Sequence, residues 1–173
     1  SHQPARLEEL KSIVIDGRSV GDQVTEQIGI IGEKLDLSYY SKVDAETVVP
    51  YVHPGNKLAT IVGFNKAGVE HHVGKDVAMQ VAAMSPVAVS RESIPQQVID
   101  KEMEIAREKF RLEGKPEAML GKIAEGKLAR FYKDSTLVNQ DFIKDNKQTI
   151  GQYLKSVDSE LKVTGFIRFT LNI

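Results

Sequence analysis

The chain contains no cysteine. That excludes disulfides, thiolate catalysis and cysteine-ligated zinc or iron–sulfur centres, and it fits a reducing cytoplasm, the expected location. An excess of charge is equally missing. Twenty-three basic and 24 acidic residues leave a formal net charge of −1, so no overall field draws in nucleic acid or an anionic membrane. No apolar run approaches a membrane span, and the N-terminus has no signal-peptide pattern. Ser1-His2 reads as a cloning remnant, which makes a fragment with its natural start upstream the expectation.

Chemistry-bearing motifs are also absent. There is no Gly-x-x-x-x-Gly-Lys-Ser/Thr phosphate loop, no Gly-x-Ser-x-Gly elbow and no His-Glu-x-x-His helix. Gly29-Ile30-Ile31-Gly32 ends a helical pattern instead of beginning one, so it is no phosphate motif. The histidines are His2, His53, His71 and His72. On a helix, adjacent His71 and His72 point about 100° apart and cannot chelate one metal, so solvated surface histidines are expected. Arg107 to Arg111 and Arg130-Phe131-Tyr132-Lys133 place basic residues beside aromatics, but acids interleave with them, as on the faces of a helical hairpin and not on an RNA platform. Carboxylates are scattered over amphipathic patterns, where pairs four residues apart on wet faces are the default. These absences favour a binding or scaffold protein over an enzyme, with no catalytic residues, no metal and no cofactor expected.

The most legible positive feature is the stretch Ser93 to Asp134. Ser93-Ile94-Pro95-Gln96 reads as a capping box with proline at the helix start. Ile99, Met103, Ala106 and Phe110 then form a narrow seam. Gly114-Lys115-Pro116 stops that helix and opens a second, with Leu120, Ala124, Leu128 and Phe131 on one side. Two such helices should fold back antiparallel, as an arm with too little apolar surface to be its own core.

The remainder supplies the mount, and 173 residues suffice for one sizeable core or two small subdomains. Arg6 to Ile13 reads as a short helix. Ser19 caps a second, with Val20, Val24, Ile28 and Ile31 as its apolar stripe. From Lys34 the period becomes two: Leu35, Leu37, Tyr39 and Val43 alternate with polar residues, which predicts a strand with one wet face. Thr47 to His53 is a second strand, confined by Pro50 to an edge or bulge. Pro54-Gly55-Asn56 turns into a third, Leu58 to Phe64, so an antiparallel meander is expected. Val69 to Met84 is helical, with Val69, Val73, Val77, Val81 and Met84 inward. Ser135 to Lys147 is polar and irregular. Thr149-Ile150-Gly151-Gln152 is a capping box over a short helix bearing Ile150, Tyr153, Leu154 and Val157 on one face. Val163 to Ile173 reads as a last strand with its odd positions inward, pairing with the meander. The fold class is therefore α+β: an antiparallel sheet with packed helices and an inserted antiparallel helical (coiled-coil) hairpin. The expected divisions are 1–48, the remainder of an N-terminal half of the core; 49–90 with 135–173, the C-terminal half; and the hairpin, 91–134.

Six segments in order resemble the bacterial elongation factor Ts family. They are Ile31-Gly32-Glu33-Lys34, Tyr51-Val52-His53, Val77-Ala78-Met79-Gln80-Val81-Ala82-Ala83, Lys127-Leu128-Ala129-Arg130-Phe131-Tyr132, Thr149-Ile150-Gly151-Gln152-Tyr153-Leu154 and Val163-Thr164-Gly165-Phe166-Ile167-Arg168-Phe169. The resemblance runs over nearly the whole chain and implies two related α+β core halves, with a coiled-coil hairpin projecting from the second. It also implies a guanine-nucleotide exchange factor for the translational GTPase elongation factor Tu, acting by tighter binding to the nucleotide-free GTPase and not by covalent catalysis. The family's Thr-Asp-Phe-Val wedge segment is not in the chain, so a binding-competent fragment impaired in exchange is expected. The family's N-terminal and C-terminal helical modules are not matched either.

The residues implied as contacts to the GTPase are Ile31, Gly32, His53, Phe142, Ile143 and Gln80. Each also has a plainer reading: Ile31 as core, His53 as an exposed loop histidine, Phe142 and Ile143 as loop anchors. Gln80 stands where some family members carry histidine. A homodimer is left open; direct contact with nucleic acid or membrane is not expected. The competing function is a structural or protein-interaction module acting through the hairpin, and an enzyme resting on the scattered carboxylates and histidines comes third.

Overall fold

The structure, a computed structural model, describes residues 3–171. Ser1-His2 and the end of the expected last strand at Ile173 lie outside the described residues. The chain divides into two compact units, Ser1–Lys42 and Val43–Ile173.

In the first unit, helix α1 (Leu7–Ser12) leads into a two-residue antiparallel ladder of β1 (Val14–Ile15) and β2 (Arg18–Ser19), followed by helix α2 (Val20–Ile31). The ladder turns on Asp16-Gly17, a sequence signal for tight hairpins that the period-based reading passes over. Helix α2 begins as expected, with the Ser19 hydroxyl accepting from the Asp22 amide at 3.0 Å. It stops at Gly32, whose φ of 76° is left-handed and whose amide donates to the Ile28 carbonyl at 2.9 Å.

The expected strand from Lys34 to Val43 does not form; 32–46 carries no strand. Alternation gives a segment two faces but no hydrogen-bond ladder. No described strand pairs with it. Tyr39 is 74% exposed, whereas the Tyr40 hydroxyl donates to the Pro4 carbonyl at 2.9 Å.

The sheet of the second unit runs β3–β4–β7, all antiparallel, from β3 (Thr47–Val52), β4 (Leu58–Phe64) and β7 (Val163–Thr170). The meander expectation thus reduces to the β3–β4 hairpin, and the last strand joins it on β4. Pro50 lies on β3, an edge strand, where its missing N–H leaves no gap between strands. The last strand does not keep its odd residues inward. Val163 pairs with Phe64 but Gly165 pairs with Gly63, so the register shifts by one residue. Beyond that bulge the even residues take the core face: Phe166 stands opposite buried Val62, and the Arg168 Nε donates to the Ala82 carbonyl at 3.2 Å. Phe169 is 41% exposed.

Helix α3 (His71–Met84) covers the sheet, burying Val73, Val77 and Val81 on Val49, Val62 and Phe64. Met84, expected inward, is exposed at the helix end. The same core takes in Leu137, Phe142 and two residues of helix α6 (Ile150–Val157), Ile150 and Leu154. Both bonds of the α6 capping box form: the Gln152 amide donates to Thr149 Oγ1 at 3.2 Å, and the Thr149 amide to Gln152 Oε1 at 2.8 Å. Between the hairpin and α6 lies a small ladder of β5 (Asp141–Phe142) and β6 (Asp145–Thr149) in the stretch read as irregular.

Helices α4 (Gln96–Leu112) and α5 (Glu117–Ser135) pack antiparallel along the expected seams. Across their turn Arg111 pairs with Glu117 at 3.1 Å, and Lys127 lies over the Phe110 ring, 5.7 Å from its centre. The capping box expected at Ser93 is not made. It would put Ile94 in helical backbone directly before Pro95, which sterics disfavour. Ile94 is extended instead, Ser93 closes a 3₁₀ turn, and α4 begins after Pro95. Where the hairpin joins the core, Ala88, Ile94 and Tyr132 form a separate small cluster with Ile99, Leu128 and Phe131, and Arg91 stacks on the Tyr132 ring at 4.4 Å. The chain entering and the chain leaving the hairpin run side by side. Val87 donates to Ser135 at 2.8 Å, and Leu137 and Val138 donate to Ala88 and Val89 at 3.0 Å each.

Candidate partner-binding surfaces

The residues singled out from the sequence fall in three places. Ile31 and Gly32 end α2, in the first unit. The stripe would bury Ile31, yet it is 54% exposed and its neighbour Ile30 is 70% exposed. Three turns are half-buried at Val20, Val24 and Ile28, and the last is not. Two exposed isoleucines beside a left-handed stop make a short apolar tip held by the helix end.

His53 opens the β3–β4 turn. Its amide donates to the Leu58 carbonyl at 2.9 Å, and its carbonyl accepts from the Asn56 amide at 3.0 Å. The side chain is exposed, and its Nδ1 shares a hydrogen bond of 3.0 Å with the Tyr51 hydroxyl, the two rings meeting edge-on with centres 6.0 Å apart. Tyr51, two residues back on the same strand face, therefore orients the exposed imidazole.

Gln80, Phe142 and Ile143 come together, 60 residues of sequence notwithstanding. Ile143 and Lys144 form the tip between β5 and β6. Phe142 is buried and stacks on Tyr153 of α6, with ring centres 4.5 Å apart at 23°. Ile143 is 43% exposed, and its amide donates inward to the Gln80 Oε1 at 2.9 Å. Lys144 Nζ reaches Asp76 Oδ1 at 2.5 Å, and the Tyr153 hydroxyl donates to Asp76 Oδ2 at 3.2 Å. One apolar side chain thus faces outward over a hairpin clamped to α3 and α6. Nothing in the sequence marks Asp76 or Tyr153 as a site residue. Asp76 sits next to Val77 at the margin of the buried α3 stripe, and Tyr153 was legible only as an inward residue.

Burial raises the Tyr153 hydroxyl to about 12, helped by the charge of Asp76 and the hydrogen bond donated to it. The neutral phenol is thereby favoured in the folded chain. Its contribution is fully present below the unfolded value near 10 and is lost as pH rises toward 12. Allowing for solvent screening, the loss is on the order of 1 kcal/mol. Urea unfolding at pH 9 and pH 11.5 checks this: the unsubstituted chain should lose stability over that interval by more than Tyr153→Phe does. An equal loss in both would remove Tyr153 as the source.

Among the described residues no three His, Asp or Glu side chains converge as cation ligands. His71 and His72 are exposed, and His72 Nδ1 lies 3.2 Å from Glu70. No helix among them is long and apolar enough to cross a membrane.

The chain is similar to known proteins along nearly its whole length. The family model described as elongation factor TS matches residues 1–172. The elongation factor Ts of Porphyromonas gingivalis is 49% identical over 171 residues, covering 98% of this chain and 62% of that protein. That of Amoebophilus asiaticus is 48% identical over 170 residues, covering 97% and 61%. That of a Hydrogenobaculum species is 41% identical over 157 residues, covering 91% and 56%. The chain thus spans about three fifths of the length of these relatives. A family match along 172 of 173 residues, with close to half of them identical in the nearer of these relatives, places the chain in the elongation factor Ts family.

Proposed function

We propose that the chain is the part of a guanine-nucleotide exchange factor that docks on elongation factor Tu in the cytoplasm during translation elongation. It acts by binding and not by covalent catalysis, without metal or cofactor. The observation that carries this is the β5–β6 tip, where an exposed isoleucine is set on a hairpin clamped from beneath. Docking residues are Ile31 and Gly32 on the α2 end, His53 on the β3–β4 turn, and Ile143 backed by Phe142 and Gln80. A factor that binds the nucleotide-free GTPase better than the GDP form speeds GDP release by that difference in affinity. Taken alone, these 173 residues hold no Thr-Asp-Phe-Val segment and are expected to bind while stimulating release weakly.

Release of a fluorescent GDP from elongation factor Tu tests this. The chain should bind the nucleotide-free GTPase yet accelerate release at least about tenfold less than a full-length relative, a difference of about 1.4 kcal/mol in the barrier to release. Equal acceleration would overturn the assigned impairment. A second reading, a protein-interaction module acting through the hairpin, is favoured by Ile105, Leu112 and Met119, all more than half exposed on α4 and α5. Under that reading, removing 93–134 abolishes partner binding while His53→Ala leaves it intact. The exchange-factor reading expects His53→Ala to weaken it.

A further inference from the structure

Gln80 is wholly buried on α3, so no partner can touch it, yet every polar atom of its side chain is used. Its Oε1 accepts from the Ile143 amide at 2.9 Å. Its Nε2 donates to the Asp141 carbonyl and to the Gln140 Oε1, each at 3.2 Å. Gln140, itself 2% exposed, donates from its Nε2 to the Asp134 carbonyl at 2.9 Å and, at 3.4 Å, to the Met84 carbonyl. Two buried amides therefore tie the end of α3, the end of α5 and both sides of Phe142 into one network.

This arrangement is unusual for a hairpin tip. Turn amides ordinarily face water, and a β-branched residue is a poor turn former. Here the tip amide is turned inward onto a buried acceptor, and the Ile143 side chain is left 43% exposed. The other clamp, Lys144 with Asp76, has a lysine that is 49% exposed, where ion pairs are weak and screened. The Gln80 bonds lie in a low-dielectric interior, where leaving a partner unsatisfied is costly.

We infer that Gln80 is a positioning residue that holds Ile143 in its docking geometry before any partner arrives. The inference rests on the partner-binding role proposed above for Ile143. A surface ordered in the free chain loses less freedom on binding and so binds more tightly. It also follows that replacement of Gln80 acts on the partner only through the tip.

Amide exchange on the free, unsubstituted chain is the first test. The Ile143 amide should exchange at least about a hundredfold slower than an exposed turn amide. Exchange at the exposed rate overturns the inference, whatever any variant does. Gln80→Met, which keeps the volume and removes every bond, should speed exchange at Ile143 about tenfold while Val62 and Ile167 in the sheet keep their protection. Gln80→His retains an acceptor nitrogen and should restore part of it. Affinity for elongation factor Tu separates the two levels. Ile143→Ala and Gln80→Met should each weaken binding about tenfold, and together by no more than either alone, since both act through one side chain. If Ile143→Ala binds like the unsubstituted chain, the docking role fails and the inference falls with it. If Ile143→Ala weakens binding but Gln80→Met, with its sheet still protected, does not, the positioning role alone is wrong.

Discussion

Gly74→Ala is expected to destabilise the second unit by at least about 2 kcal/mol and to lower its unfolding midpoint by several degrees. A Cβ at this position would lie 2.4 Å from Val49 Cγ2, 2.9 Å from Val49 Cβ and 3.1 Å from Val49 Cγ1. Val49 cannot yield. It is buried, β-branched and therefore stiff, and its Cβ is fixed by the pairing of β3 with β4. Relief comes only if α3 lifts from the sheet. Alanine's better helix propensity works the other way by up to about 1 kcal/mol and is outweighed by the overlap. The same change at Gly126 on α5, where an added methyl meets nothing within 4 Å, should instead stabilise by a fraction of that amount. Urea unfolding of the two variants checks the contrast in sign. A Gly74→Ala chain as stable as the parent would mean that α3 does not lie this close to β3. Because α3 also carries Asp76 and Gln80, lifting it should loosen the β5–β6 tip as well.

Phe142→Ala should cost about 3 kcal/mol, the lower part of the range for removing a buried phenylalanine. The ring is 4% exposed, joins the main core and stacks on Tyr153. A short surface ladder can collapse partly into the void, which keeps the cost from reaching the top of the range. The loss should be local before it is global. Exchange should rise first at Ile143, with the β4–β7 ladder protected until the whole unit unfolds. Affinity for elongation factor Tu should fall together with that protection. An unchanged midpoint would remove Phe142 from the core; an unchanged affinity in a chain with a loosened tip would remove the tip from the docking surface.

Periodicity read from the sequence located α2, α3, α6 and both hairpin helices, because each buries one stripe and the stripe repeats with the helix. Pattern failed where a longer-range partner decides. The stretch 34–44 has the alternation of a strand and no ladder to join. In β7 a one-residue bulge against Gly63 exchanges the faces, which alternation cannot register. Ser93 has the residues of a capping box, overridden by the proline two positions on. At the candidate site, the resemblance marks Phe142 with Ile143 and, separately, Gln80; the structure brings the three together with roles that differ by burial, one side chain exposed and two beneath it. Asp76, Gln140 and Tyr153 had no signal as site residues, since the contacts that assign them join segments 60 to 80 residues apart.

The bonds pairing Val87 with Ser135 and Ala88 with Leu137 bear on the order in which the chain folds. β4 and β7 are about a hundred residues apart along the chain, a long loop to close before any cross-strand contact rewards it. Helices form and pair early, from local contacts. Once α4 and α5 have met and the segments flanking them, 87–89 and 135–138, have joined, the hairpin becomes a shortcut, and the loop left to close is roughly halved. By the logarithmic law that is only about 0.6 kcal/mol of chain entropy. The larger expected effect is in the sequence of events: the arm should bring Leu137 and the segment behind it back beside α3 before the sheet is complete, and the final strand should then reach an edge already in place.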